Sequence, residues 1–171
     1  MKTLPFILFL SGFCTSQLLP AQKREPVDYV NPLLGTEFFG HTFPGTSLPN
    51  AMVHLSPDTG TEGWTYCSGY TYSDNSIIGF SHTHWSGTGM VNGGDIMLMP
   101  AAGRKILLTP GSPENSLEGY RSEFDHKNET ALPGYYRVFL KDDGIGVELT
   151  STQRAGFHRY TFPANDNAQI I

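Results

Sequence analysis

The sequence predicts an all-β fold, and within that class a β-sandwich. The 171 residues include 19 glycines, 12 prolines, 11 phenylalanines and 8 tyrosines, a composition typical of short strands joined by many turns. Turn signals recur every few residues, for example at Asn31–Pro32, Pro44–Gly45 and Pro49–Asn50. No stretch shows sustained helical periodicity. Many short strands with frequent turns favour two packed antiparallel sheets.

Three short strands are predicted in the first two thirds of the chain. Residues 51–57 form one candidate, and residues 77–81 lie at the centre of a second. The third candidate is residues 94–103, where apolar residues recur at period two: Ile96, Leu98 and Pro100. Each is bounded by glycine, proline, asparagine or aspartate, as short strands usually are.

The clearest strand pattern is a β-hairpin near the end of the sequence. Before "DDG", Tyr136, Val138 and Leu140 alternate with Arg137, Phe139 and Lys141. After it, Ile145, Val147 and Leu149 alternate with Gly146, Glu148 and Thr150. Alternation at period two on both sides of an Asp-Gly pair predicts a hairpin with a tight turn. A further strand, "GFHRYTFP", follows. The sequence closes on Ile170 and Ile171, which resemble the start of another strand, so we expect the front part of a longer protein.

The charge balance and the N-terminus limit the partners and the location of the protein. A formal net charge of −5 argues against a nucleic-acid partner, which would need a basic stripe. Residues 1–21 read as a signal peptide cut after Ala21, and their apolar run is too short to span a membrane. We therefore expect export to the periplasm or the exterior. A lipoprotein anchored at Cys14 is disfavoured by Phe13 before it. The mature chain, from residue 22, keeps one cysteine, Cys67, expected to be buried.

The stretch "GFSHTHWSGTGMVNGGD", residues 79–95, carries the most chemistry. In a strand, His82 and His84 project to the same face and could share a zinc ion, with Asp95, His41 or His54 as a third ligand. Two histidines without a defined third ligand are a weak signal, and both could instead form hydrogen bonds within a rigid loop. A phosphate loop is rejected, because no "GK[ST]" and no amphipathic helix follow the glycines.

Aromatic residues around this stretch suggest a surface that holds a sugar. Five rings fall within 22 residues: Trp64, Tyr66, Tyr70, Tyr72 and Trp85. Flat aromatic faces pack on the C–H faces of pyranose rings while polar neighbours bind the hydroxyls. Tyr70 and Tyr72 are expected in the core, whereas Trp64 and Trp85 lie in loop-like contexts that favour exposure.

The carboxylates in the same region give no further support for a catalytic site. Glycoside hydrolysis needs a pair of them, and four carboxylates are candidates by position only: Asp58, Glu62, Asp74 and Asp95. Each also has an easy turn or capping role. The sequence therefore marks no acid–base pair.

Several ordered motifs resemble one known family. "VNPLLGT", "GHTFPGTSLPNAMVHLSPDT", "CSGYTYSDNSIIGFSHTHWSGTG", "GDIMLMP", "PGYYRVFL" and "VELTSTQRAGFHRYTFP" resemble the N-terminal domain of glycoside hydrolase family 92 over residues 27–171. The resemblance implies a secreted, calcium-dependent, exo-acting α-mannosidase in which a β-sandwich packs on an (α/α)6 barrel. It also implies inversion at the anomeric carbon, with a glutamic acid protonating the leaving oxygen, an aspartate activating water and calcium distorting the mannose.

The resemblance assigns the catalytic residues and the main calcium ligands to the barrel, so no catalytic residue and no metal ligand is predicted in this chain. Two partners are expected. One is a mannose-containing glycan, an N-glycan or a mannan with α-1,2 linkages favoured, and the other is the barrel domain. The predicted contributions to the pocket are three segments: the loop from Gly40 to Gly45 with His41, Thr42 and Phe43, the segment around Trp64, and the "SHTHWSGTG" loop. Trp64 and Trp85 would contact mannose or the leaving-group sugar, with Trp85 influencing linkage preference. His82 and His84 would contact hydroxyls or support the residues that do.

Two other functions stay open from the sequence. A non-catalytic carbohydrate-binding module would fold alone and bind mannosides without hydrolysing them. A small histidine-based metalloenzyme would take up zinc in proportion to the protein and lose it when His82 and His84 are replaced together.

Overall fold

The computed structural model describes residues 23–91, 93–103, 108–164 and 167–171. The predicted signal peptide lies outside these residues. Within them the helical segments are short 3-10 turns: Pro26–Tyr29, Trp64–Tyr66, Ser116–Glu118 and His126–Asn128. In this part of the chain no helix is both long and apolar enough to cross a membrane. The all-β prediction is confirmed.

Eleven short strands make up the described fold. In chain order they are β1 Thr46–Ser47, β2 His54–Asp58, β3 Ser76–Ile77, β4 Gly79–Ser81, β5 Pro100–Ala102, β6 Ser122–Glu123, β7 Thr130–Leu132, β8 Tyr135–Leu140, β9 Ile145–Ser151, β10 Gly156–Thr161 and β11 Ala168–Ile170. The largest sheet has the order β10-β9-β8-β7, and a second has the order β1-β2-β4. Two-stranded ladders pair β11 with β5 and β3 with β6.

The predicted hairpin is present as β8 and β9, and its alternation is confirmed. The inward positions are all at most 1% exposed: Tyr136, Val138, Leu140, Ile145, Val147 and Leu149. The "DDG" turn lies within a slightly longer connection. Leu140 pairs with Ile145, so residues 141–144 form a four-residue loop that closes on Gly144 at φ +66°. The carboxylate of Asp143, in this loop, is buried and accepts the N–H of Ala102 at 3.0 Å.

The core lies between the two larger sheets. β1 and β2 pack against β9, and the aromatic ring of Phe80 in β4 reaches Tyr160 in β10, with 6.4 Å between ring centroids. Buried apolar side chains of both sheets form one cluster, which includes Leu55, Ile77, Phe80, Met99, Tyr136, Val138 and Val147. Burial of this apolar area on both sheets is the main favourable term in folding.

Two expectations for individual residues were wrong. Ile96 is 72% exposed with φ +53°, so the strand predicted over residues 94–103 is reduced to β5 and an isolated bridge between Leu98 and Phe80. Tyr72 lies on the surface, stacked on His126 with 4.1 Å between ring centroids. Tyr70 and Cys67 are buried as predicted.

Candidate functional site

A buried ion pair lies beneath the glycine-rich loop. The His84 Nδ1 donates to the carbonyl oxygen of His54 at 2.7 Å, and its Nε2 donates to Asp58 Oδ1 at 2.9 Å. The side chains of His84 and Asp58 are 1% and 2% exposed. Because both ring nitrogens face oxygen acceptors, the geometry favours the doubly protonated imidazolium.

Two opposing effects act on the pKa of His84. Burial lowers it, while the charge of Asp58 and the hydrogen bonds to Asp58 and to the carbonyl of His54 raise it, and the net pKa is above the ordinary histidine value. The second carboxylate oxygen, Asp58 Oδ2, accepts the backbone N–H of Ser81 at 3.0 Å. The pair therefore fixes the end of β2 to the end of β4 and to the loop that follows.

The hydroxyl of Ser81 lies 3.1 Å from His84 Nε2, yet the three side chains do not form a hydrolase triad. In a triad the carboxylate and the hydroxyl bind opposite ring nitrogens, whereas here Ser81 and Asp58 share Nε2 and a backbone carbonyl holds Nδ1. Ser81 is also fully buried. This cluster positions the loop and offers no nucleophile.

The loop from Gly40 to Gly45 is held against the glycine-rich loop. His41, at φ +47°, donates from Nδ1 to the carbonyl of Thr88 at 2.8 Å, and its own carbonyl accepts the N–H of Gly87 at 2.7 Å. Phe43 packs on the ring of His84 at 5.3 Å between centroids. The hydroxyl of Thr42 donates a hydrogen bond to the carbonyl of Leu34 at 2.8 Å. These contacts make the two loops one surface.

The two tryptophans lie exposed on this surface, as their loop contexts predict. Trp64 is 53% exposed and Trp85 is 59% exposed. The rings of His41 and Trp64 pack edge-to-face, with 4.9 Å between centroids, and Ser68 donates its hydroxyl to the Trp85 carbonyl at 3.2 Å. The Trp85 backbone is thus held by Ser68 and that of Trp64 by the N–H of Cys67 at 3.3 Å, while more than half of each residue is exposed.

His82 faces away from this surface. Its Nδ1 donates to the carbonyl of Ile96 at 2.9 Å, and its Nε2 lies 3.2 Å from Nε2 of His158 in β10. The structure thus brings five of the predicted site residues together, namely His41, Phe43, Trp64, His84 and Trp85. Gly40 and Thr42 belong to the same loop but bond to Glu37, Gly35 and Leu34, and His82 does not join the group.

A zinc ion shared by His82 and His84 does not fit this geometry. Both nitrogens of His84 are already hydrogen-bonded to Asp58 and to the His54 carbonyl. Asp95, one of the possible third ligands, accepts the hydroxyl of Thr83 at 3.0 Å. In the described ranges no group of three or more histidine, cysteine, aspartate or glutamate side chains is placed to hold a metal.

Asp58 is the residue that sequence reasoning undervalued. An easy turn or capping role was expected for it, whereas it is the buried partner of His84 at the end of β2. One signal was available, since Asp58 directly follows the strand predicted over residues 51–57. Buried carboxylates need a partner, but the sequence does not indicate which of the six histidines supplies it.

Gly93 and Gly94 allow a matched test of how tightly the loop is closed. Both have positive φ, +84° and +78°, but a methyl group on Gly93 would collide with the carbonyl of Thr83, whereas one on Gly94 meets nothing. We expect Gly94→Ala to cost about 1–2 kcal/mol of unfolding free energy for the left-handed backbone alone. Gly93→Ala should cost clearly more. Urea unfolding of both variants measures the difference, and equal losses would contradict the close approach.

Comparison with known proteins identifies the family. The sequence model of the glycosyl hydrolase family 92 N-terminal domain matches residues 29–171. The chain belongs to glycoside hydrolase family 92. The resemblance drawn from the sequence motifs is therefore confirmed, and the described residues are the family 92 N-terminal domain.

Relatives of this family 92 domain are longer proteins. A protein of Arthroderma benhamiae described as an uncharacterized secreted glycosidase is 32% identical over 166 residues, 95% of this chain and 20% of that protein. The family GH92 α-mannosidase BT3965 from Bacteroides thetaiotaomicron, solved with mannoimidazole, has a TM-score of 0.81 and 43% identity, over 84% of this chain and 19% of its own. The inverting mannosidase BT2199 from the same species has a TM-score of 0.66 and 31% identity, over 86% and 20%.

The described residues of the family 92 domain do not fit a calcium site. Calcium takes six to eight oxygen ligands, mostly carboxylates and carbonyls. Asp58, the buried carboxylate beneath the glycine-rich loop, already binds His84 and the N–H of Ser81 through its two oxygens, and in the described ranges no three histidine, cysteine or carboxylate side chains lie together to hold an ion. No step of a reaction is assigned to calcium on these residues.

Proposed function

We propose that this chain is the N-terminal domain of an exported α-mannosidase that removes terminal mannose from α-linked glycans with inversion. The proposal adds α-1,2 linkages in N-glycans or mannans as the preferred substrate. It is supported by the family match and by two solved relatives named as mannosidases, one of them bound to mannoimidazole and one described as inverting. Export is supported by the relative described as secreted and by the leader-like residues 1–21.

The observation that carries the proposal is the pair of exposed indole faces on a fixed backbone. Trp64 and Trp85 offer flat apolar surfaces of the kind that pack on pyranose rings. The Gly40–Gly45 loop and residues 87–88 are bonded to each other next to these rings, through the His41 carbonyl with the N–H of Gly87 and through the His41 ring with the carbonyl of Thr88. In this scheme His84 holds the surface in place from below through Asp58, and His82, which faces β10, makes no contact with the sugar.

The catalytic acid and base are proposed to come from the part of the enzyme beyond this domain. Glycoside hydrolysis with inversion needs two carboxyl groups about 6.5–9.5 Å apart, with room for a water between them. At the proposed sugar surface Asp58 is buried and paired, so it is unable to serve as either group. Calcium ligands are assigned to that same part for the reason given above.

Expression of the complete reading frame that contains this chain tests the proposal. We expect mannose release from α-1,2-mannobiose, with inverted stereochemistry by NMR, loss of activity in a chelator and recovery on adding calcium. No release from any α-mannobiose isomer would overturn the proposal. If the 171-residue chain alone binds mannosides and the complete frame hydrolyses none, the chain is a carbohydrate-binding module instead.

A further inference from the structure

Two histidines face each other where the two larger sheets meet. His82 directly follows β4 of the three-stranded sheet, and His158 lies in β10 of the four-stranded sheet. Their Nε2 atoms are 3.2 Å apart, and the ring centroids are 4.8 Å apart at an interplanar angle of 38°. Neither residue belongs to the proposed sugar surface. Both side chains are half-buried, so water reaches the pair.

The remaining nitrogen of each ring is already hydrogen-bonded. His82 Nδ1 lies 2.9 Å from the carbonyl oxygen of Ile96, which only accepts, so the proton of the neutral ring is on Nδ1 and Nε2 carries a lone pair. His158 Nδ1 lies 2.7 Å from the hydroxyl oxygen of Tyr160, which can accept its proton. Histidines that bind metals are usually oriented in this way, with the other ring N–H donated to a neighbouring oxygen.

The separation of the two nitrogens also suits a metal ion. With zinc–nitrogen bonds of 2.0–2.1 Å and a tetrahedral angle, two ligand nitrogens stand about 3.3 Å apart.

We propose that His82 and His158 together bind a divalent transition-metal ion such as zinc through their Nε2 atoms. Water completes the tetrahedral coordination, because no third histidine, cysteine or carboxylate side chain joins the pair among the described residues. The site is thus an exchangeable two-histidine site and differs from a closed structural zinc centre. Binding would link the three-stranded sheet to the four-stranded sheet.

Gly156 provides a steric variant that leaves both histidines in place. A methyl group on Gly156 would lie 2.9 Å from His82 Cδ2 and 3.1 Å from His82 Nε2. It would fill the space beside the nitrogen that the metal and its water need. Gly156→Ala is therefore expected to weaken zinc binding at least tenfold, although it removes no ligand.

Zinc titration of the complete, tag-free chain by calorimetry at pH 7 is the first test. We expect one zinc per chain and a thermal midpoint raised by about 5 °C in excess zinc, since a ligand that binds only the folded state stabilises it. His82→Gln and His158→Gln should each abolish the stoichiometric binding. His126→Gln, at a histidine bonded to Glu129 on another part of the surface, should retain it. Retained stoichiometric binding in either of the first two variants overturns the proposal.

Anomalous diffraction from crystals soaked in zinc gives a test that does not depend on how well the variants fold. A peak between the two Nε2 atoms, about 2 Å from each, is expected. No peak there in zinc-soaked wild-type crystals would mean that the rings share a proton only, and the proposal would fail. These results bear only on the metal site, so the mannosidase proposal stands or falls separately.

Discussion

Replacing Asp58 by asparagine should lower the free energy of unfolding by about 3–5 kcal/mol at about pH 6, the usual cost of removing one partner of a buried ion pair. The variant keeps the volume of the side chain but leaves the imidazolium of His84 without a counter-charge at 1–2% exposure. The side chain at position 58 then binds both of its partners, His84 Nε2 and the N–H of Ser81, more weakly. Urea unfolding measures the loss. Asp95→Asn, at an exposed carboxylate that binds Thr83, is the matched control and should cost less than about 1 kcal/mol.

The pH dependence gives this prediction a second readout. The pKa of His84 in the folded protein is above its ordinary value of 6.5. The pair therefore contributes fully below about pH 6.5, and its contribution is lost as the pH rises through the raised folded pKa. In Asp58→Asn, burial without the counter-charge favours neutral His84, so this variant should gain stability as the pH rises through about 6.5. The gap between wild type and variant should narrow toward alkaline pH, and a gap that does not change with pH would contradict the ion pair.

Trp85→Ala should lower kcat/KM of the complete enzyme on α-1,2-mannobiose by about 10- to 100-fold, or about 1.4–2.7 kcal/mol. The indole is 59% exposed on a backbone held by Ser68, so its removal takes away a stacking surface and leaves the loop in place. This expectation rests on the proposed function. Steady-state kinetics with mannobiose isomers measure it, and the loss should differ between linkages if Trp85 contacts the leaving-group sugar.

Phe157→Ala is the control for the tryptophan variant. Phe157 is a 54% exposed aromatic residue in β10, outside the proposed sugar surface. Its removal should leave kcat/KM within about twofold of wild type, because an exposed ring outside the sugar surface makes no contact with the transition state. If both variants lose activity equally, the loss is not specific to the sugar surface and the role of Trp85 is refuted.

The strands could be predicted where a local pattern determines them. In β8 and β9, alternation alone places Val138 and Val147 inside, because a half-buried strand has a side-chain period of two. The same rule failed for Ile96, whose left-handed backbone takes it out of the strand. Apolar residues at period two in residues 94–103 were insufficient, because Gly93 and Gly94, at the start of the segment, both have positive φ and turn the chain.

The sequence predicts the exposed tryptophans of the site but not the buried ion pair beneath them, because local context determines the first and long-range strand pairing determines the second. Trp64 and Trp85 were identified from the glycine- and serine-rich context that keeps large rings in loops. The link between Asp58 and His84 spans 26 residues and depends on β2 pairing with β4, which no local pattern specifies. His82 and His84 were grouped because they are two apart, yet a bend after β4 directs them to different neighbours.

Around Trp85, the contacts that anchor the loop use backbone atoms, whereas the group that faces solvent is the indole side chain. Ser68 holds the loop by the carbonyl of Trp85 and Asp58 by the N–H of Ser81, so neither contact involves the indole. A mutation that changes the side chain at position 85 therefore leaves the anchoring intact. Libraries that vary position 85 should therefore contain many folded members, and under the proposed function they would sample changes in glycan preference without loss of the loop.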